Sequence, residues 1–187
     1  MSSSSKEAIL AAARRTAQAR GYNGLNFRDL ADEVGIKAAS IYHHFPSKAD
    51  LGAAVARRYW EDTAAQLEAM LTETPDPVRC LRRYPEVFRK ALTNGNRMCL
   101  CSFMAAEYDD LPDAVKREVQ AFADVNVAWL SKLLSAGTRV SAKKTEQRAR
   151  AIFAAVAGAQ LMARSRADVT LYDSLIEGYR AAGLLPG

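Results

Sequence analysis

Two stretches of the sequence carry side chains able to do chemistry. The first, Asn26–Asp50, reads NFRDLADEVGIKAASIYHHFPSKAD and gathers Asn26, Arg28, Lys37, Ser40, Tyr42, His43 and Lys48 into one short run. These are cations and hydrogen-bonding groups, suited to holding a polar or anionic surface. The second, Asn96–Met104, reads NRMCLCSFM and places Cys99 and Cys101 just after Arg97. A thiol beside a cation and at the positive end of a helix is easier to ionise, so this stretch offers thiolate chemistry. His43 and His44 are the only histidines. Neighbours on a helix do not face one another, so no metal site is expected there.

The elements that must position the first stretch follow from its spacing. Asn26 can accept a backbone N–H and cap a helix, with Asp29 in the first turn, where negative charge suits the dipole. Phe27, Leu30, Ala31 and Val34 form one apolar stripe. Gly35 ends that helix, because glycine enters the left-handed region without steric cost. A second short helix is expected over Ala38–His44, with Ile41 and Phe45 inward and Ile36 plugging the turn. Ala39, Ser40, Tyr42 and His43 then lie on its outer face. Pro46 stops it, and Ser47 with Asp50 forms a capping box that opens the next helix. Two short helices about a glycine turn, the second with a polar face outward, is the helix-turn-helix layout. Its second helix can lie in the major groove of DNA.

Charge agrees with that layout. The net charge is +5, and residues 1–60 carry nine Lys/Arg against five Asp/Glu, so most of the excess lies in the segment holding the motif. A local basic surface is the footprint of a phosphate-binding element. No apolar run is long enough to span a bilayer and the first residues, MSSSSKE, lack the apolar core of a signal peptide, so a cytoplasmic location is expected. The three cysteines, an odd number, fit a reducing compartment better than a disulfide framework.

Nearly all of the chain reads as helix. The expected elements are Ser5–Arg20, with Ile9, Leu10, Ala13 and Ala17 inward; the two motif helices; Lys48–Thr72; Val78–Thr93; Met98–Tyr108; Asp113–Ala136, closed by Gly137; Ser141–Arg164; and Val169–Ala182, ending at Gly183. Ser4 and Glu7 are spaced as a capping box before the first helix. Along Asp113–Ala136 the inward set is Val115, Val119, Phe122, Val125 or Asn126, Trp129 and Leu133. The fold class is all-α, about nine helices, with a three-helix head over residues 1–47 and a larger helical domain over 48–187.

The head closely resembles the TetR family of bacterial transcription regulators. The resemblance is carried by Gly21, Phe27, Leu30, Ala31, Gly35, the run Ile41-Tyr42-His43-His44-Phe45, Ser47-Lys48 and Leu51, and it covers about residues 5–58. It implies a homodimer whose two heads enter successive major grooves of a pseudo-palindromic double-stranded operator, and a C-terminal domain for ligand binding and dimerisation. Lys37, Ala39 and Ser40 begin the recognition helix, where base edges are within reach. Ala38 and Ala39 allow close backbone approach and contact with a thymine methyl. Tyr42, His43 and Lys48 match positions that bind phosphate in the family. Asn26 and Arg28 stand at a helix N-terminus, which favours phosphate. The departure from the family pattern is Lys37 followed by Ala38, where a small capping residue followed by a basic or glycine residue is common.

In the larger domain, Tyr59, Trp60, Phe88, Cys99, Phe103, Met104, Phe122 and Trp129 are candidates to line an apolar cavity for a small hydrophobic inducer. Ala149, Ile152, Phe153, Ala155, Val156, Gly158 and Ala159 let another helix approach closely, so segments 141–164 and 169–182 are the expected homodimer face. The leading function is a ligand-responsive regulator, a repressor released from its operator by its inducer. One alternative is a redox- or electrophile-sensing regulator using Cys99 or Cys101, and another is a helical small-molecule carrier with a vestigial head. No P-loop, dinucleotide fingerprint, HExxH or Ser/His/Asp arrangement is present, so neither enzyme activity nor a cofactor is expected.

Overall fold

The helix that opens the motif sets the pattern for the rest. In a computed structural model describing residues 2–136 and 141–187, with side chains from Ser5 onward, Asn26 accepts hydrogen bonds from the amides of Arg28 (2.8 Å) and Asp29 (3.3 Å). That cap starts α2 (Phe27–Val34), and Gly35 ends it in the left-handed region at φ 75°. α3 (Ala38–His44) follows, then α4 (Lys48–Glu73), entered through Ser47, whose hydroxyl accepts from the Asp50 amide and donates to its carboxylate. α1 (Ser2–Arg20) precedes them. The remaining helices are α5 (Pro77–Thr93), α6 (Leu100–Ala105), α7 (Asp113–Ser135), α8 (Ala142–Ser165) and α9 (Val169–Ala181), giving nine α-helices and one 3-10 turn among the described residues. The expected roles of Gly137 and of Ser4 as a cap lie outside the described residues.

The chain packs as two compact units, the first from Met1–Glu61 with Leu100–Phe122 and the second from Asp62–Cys99 with Ala123–Gly187. In the first, α1 packs against α2, α3 and α6. Ala12, Ala13 and Ala17 are fully buried, and such small side chains bring neighbouring helices close; Ile9, Leu30, Ile41, Phe45 and Leu51 fill the space between. A helix as short as α3 cannot persist alone, and its buried Ile41 ties it to this platform.

In the second unit α8 packs on α9, and α5 on both. Several polar groups buried here are answered by partners distant in sequence. The Gln160 side chain donates to the Phe88 carbonyl (2.7 Å) and accepts from the Cys99 amide (3.0 Å). The Tyr84 hydroxyl donates to Asn126 (2.9 Å), and the Tyr172 hydroxyl donates to the Pro85 carbonyl (2.7 Å). Burial pushes both phenols well above the ordinary tyrosine range.

Two expectations need correction. The helix expected over Met98–Tyr108 is only Leu100–Ala105, because the chain then tightens into i→i+3 bonds (Ala106 and Glu107 amides to the Phe103 and Met104 carbonyls) and the 3-10 turn Tyr108–Asp110. Cys99 therefore precedes the helix rather than opening it. On α7 the buried position is Glu118, not Val119, since its carboxylate accepts from Arg57 (2.6 Å) and from the Trp60 indole (2.9 Å). Asp76 and Asp168 cap α5 and α9, two starts that the hydrophobic periodicity alone does not mark.

Candidate nucleic-acid interface

The two short helices α2 and α3 leave a hollow of about 700 Å³ lined by Leu25, Asn26, Phe27, Arg28, Asp29, Ala38, Tyr42 and Lys48. The N-terminus of α2 opens into it, so the positive end of a helix dipole faces the same space as Arg28 and Lys48. Tyr42 is 56 % exposed, yet its ring meets the buried Phe27 ring edge-on at 4.7 Å, so the hydroxyl is displayed on a fixed stem. The Lys48 ammonium lies 4.7 Å from the Tyr22 ring centroid and donates to the Asn23 carbonyl at 3.2 Å. Tyr22 itself is buried, which raises its pKa.

The remaining motif residues lie along one outward surface. Lys37 precedes α3 as its cap position without a side-chain cap bond; it is exposed with Ala39 and His43, and Ala38 and Ser40 are half-buried. Ile41 and Phe45 turn inward, as their spacing requires. The structure thus places Asn26, Arg28, Lys37, Ala38, Ala39, Ser40, Tyr42 and His43 on the α2–α3 part of one unit, with Lys48 at the start of α4. A set of donors and cations around a helix N-terminus can neutralise phosphate charge, and small side chains beside it can approach base edges. Among the described residues no three of His, Cys, Asp or Glu stand close enough to hold a metal ion.

Residues 9–55 match the sequence profile of the bacterial regulatory proteins of the tetR family. A TetR-family regulator from Agrobacterium tumefaciens has the same architecture, with a TM-score of 0.87 and 29% identity over 95% of this chain and 96% of that one. Residues 9–55 form a TetR-family head. A TetR regulator from Legionella pneumophila superposes with a TM-score of 0.88 at 28% identity, again over 95% and 96% of the two chains. The transcriptional repressor NemR of Escherichia coli K12 is 25% identical over 178 residues, 91% of this chain and 89% of that protein. The TetR head seen in the sequence is thus matched by likeness along nearly the whole chain.

The eight candidate cavity residues divide between the units. In the first, Tyr59 and Phe122 pack ring to ring at 5.6 Å, with the Arg14 guanidinium 4.8 Å from the Tyr59 centroid; Met104 is buried and Phe103 half-buried. Trp60 is committed to Glu118 through its indole N–H. That contact and the Arg57 hydrogen bond matter because Glu118 is buried; the Arg57 bond is the larger influence holding its carboxyl below the usual range. In the second, Phe88 and Trp129 flank Tyr84 at 5.7 and 5.9 Å, and Cys99 meets Gln160. The Trp129 indole N–H is buried without a hydrogen-bond partner. All three cysteines are thiols exposed by no more than 1%. Cys80 donates to the Thr74 carbonyl (3.1 Å), and burial pushes its thiol up. Burial gives Cys99 and Cys101 the setting of small core side chains.

Sequence reasoning missed Glu107. Its carboxylate accepts from the amides of Tyr22 (2.6 Å) and Asn23 (3.1 Å), the two residues that Lys48 of the hollow contacts. Nothing near Glu107 in the sequence signals a partner 84 residues away; the run AAEYDDLP reads as a solvated, acidic turn.

Proposed function

We propose that the chain is a ligand-responsive transcriptional repressor that binds a pseudo-palindromic DNA operator as a homodimer in the cytoplasm, and is not an enzyme. Residues 1–47 form the DNA-binding head, and 48–187 bind the inducer and dimerise. The observation that carries the reading is the hollow lined by Asn26, Arg28, Tyr42 and Lys48 beside the outward face of α3. On this reading Asn26, Arg28, Tyr42, His43 and Lys48 contact phosphates, while Lys37, Ala38, Ala39 and Ser40 approach bases. NemR carries the name of a transcriptional repressor, which supports the sign of regulation.

Two features support the rest of the reading. Along α8, Ala151, Ala154, Gly158, Leu161 and Met162 are exposed, with Leu161 at 55% and Met162 at 50%, an apolar stripe suited to a second copy. The buried indole N–H of Trp129 lacks an acceptor, and a molecule supplying one would gain a hydrogen bond that the protein alone forgoes. Inducer binding weakens DNA affinity only if it differs between the DNA-competent and incompetent states.

Gel shift at several salt concentrations tests the assignment. Tyr42→Phe and Lys48→Ala weaken selected and random duplexes by the same factor, and Lys48→Ala lowers the salt slope by about one. Substitutions at Lys37 or Ser40 instead change the preference between duplexes. Binding with no salt slope and no sequence preference would remove the DNA-binding reading and leave a helical carrier.

A further inference from the structure

We infer that Glu107 is a positioning residue for the phosphate contact made by Lys48, acting through Tyr22 and Asn23 of the loop between α1 and α2; the inference rests on the DNA-binding reading above. α1 gives way at Gly21, whose φ of 70° turns the chain so that the next two amides meet one carboxylate. The fit leaves no space: a β-carbon at Gly21 would lie 2.2 Å from the Glu107 Oε2. The Asn23 side chain donates to Asp110 at 2.9 Å, fixing the loop to the same acidic turn.

The same two residues hold Lys48. Its ammonium takes the Asn23 carbonyl on one side and the Tyr22 ring on the other. That ring packs closely on Gly52, where any β-carbon would stand 2.7 Å from its edge. Glu107 therefore fixes the amides of the residues whose carbonyl and ring fix Lys48. Lysine is a point charge on a four-carbon stem, and holding the stem reduces the freedom lost when a phosphate is bound. One ammonium donor on Asn23 leaves two for the phosphate. The charge of Glu107 is meanwhile satisfied by two backbone donors.

The test uses the full chain and fluorescence anisotropy with two labelled duplexes of equal length, one recovered by selection from random DNA and one scrambled. Glu107→Gln keeps the size but replaces one acceptor oxygen with an NH₂ group. It weakens both duplexes by about tenfold, the worth of one charge-assisted hydrogen bond. On a Lys48→Ala background the same change costs less than about twofold, because the two act as one unit. Binding by Glu107→Gln equal to the wild type overturns the inference. So does the full loss persisting on the Lys48→Ala background, which would mean that Glu107 acts by another route. If Glu107→Gln does not fold, Glu107→Asp serves, since its carboxylate is one methylene short of spanning both amides; a loss confined to proteins with Lys48 supports the inference, and a loss independent of Lys48 overturns it. Wild-type protein that binds neither duplex sinks the DNA-binding reading itself, a separate outcome from a wild type that binds and a Glu107 variant that does not differ.

Discussion

The 26–50 segment and the second unit hold their polar groups by opposite means. In the head the partners are neighbours in sequence: Asn26 caps the amides of residues 28 and 29, and Ser47 answers Asp50. In the second unit the partners lie far apart: Gln160 reaches Phe88 and Cys99, Tyr172 reaches Pro85, and Tyr84 reaches Asn126. A local cap forms with its own helix and shelters little from water. A long-range bond between buried groups exists only once the unit is packed, and losing one side leaves the other stranded in a dry interior. The head is thus built to keep a surface available, and the second unit to make one packing arrangement specific.

Deleting one polar group from each region tests that contrast. Gln160→Leu keeps the volume but leaves the Phe88 carbonyl and Cys99 amide without their partner, so urea unfolding registers a loss of about 3 kcal/mol. Asn26→Ala removes a solvent-exposed cap and costs about 1 kcal/mol, with Asn26→Asp recovering most of it. Equal losses at the two sites would break the distinction.

The same contrast explains what was legible in the sequence. The Asn26 cap, the Gly35 stop, the inward Ile41 and Phe45 and the Ser47–Asp50 pair each depend on residues within a few positions, so spacing exposes them. The all-α class follows from helical periodicity throughout. Glu107, Glu118 and Gln160 were not legible, because a charged or amide side chain on a helical pattern reads as solvent-facing until the partner arrives from another helix. Cys99 was misplaced by one helix boundary for a similar reason: just before α6 its amide is taken by Gln160, 61 residues on.

Acid sharpens the comparison further. The Arg57 hydrogen bond is the main cause holding the Glu118 carboxyl below its ordinary value, and Arg89 does the same for Asp173. A carboxyl lowered in the folded state contributes stability that is complete above its unfolded value and is lost as pH falls through the folded one. The urea midpoint therefore declines on going from about pH 5 toward about pH 3. Glu118→Gln starts lower at neutral pH and declines less, whereas an unchanged slope would show that this buried carboxylate is not among the groups responsible. The basic partners are largely exposed, so water screens each pair and the decline is gradual.

The smallest effect bears on the exposed stripe of α8. A β-carbon at Gly158 meets nothing within 4 Å in the single chain, and Gly158 lies inside a helix away from any left-handed turn. In a monomer Gly158→Ala is therefore a pure gain of up to about 1 kcal/mol in helix propensity. If the stripe of Ala151, Ala154, Gly158, Leu161 and Met162 meets its symmetry mate, the new methyl is driven between two closely approaching helices, and overpacking there opposes association. The two effects have opposite dependence on protein concentration. Thermal unfolding of the dilute protein moves upward, while sedimentation of the concentrated protein shows a weaker dimer. A variant more stable at every concentration, with unchanged association, would place the dimer contact elsewhere on the chain and leave α8 as the back of the second unit.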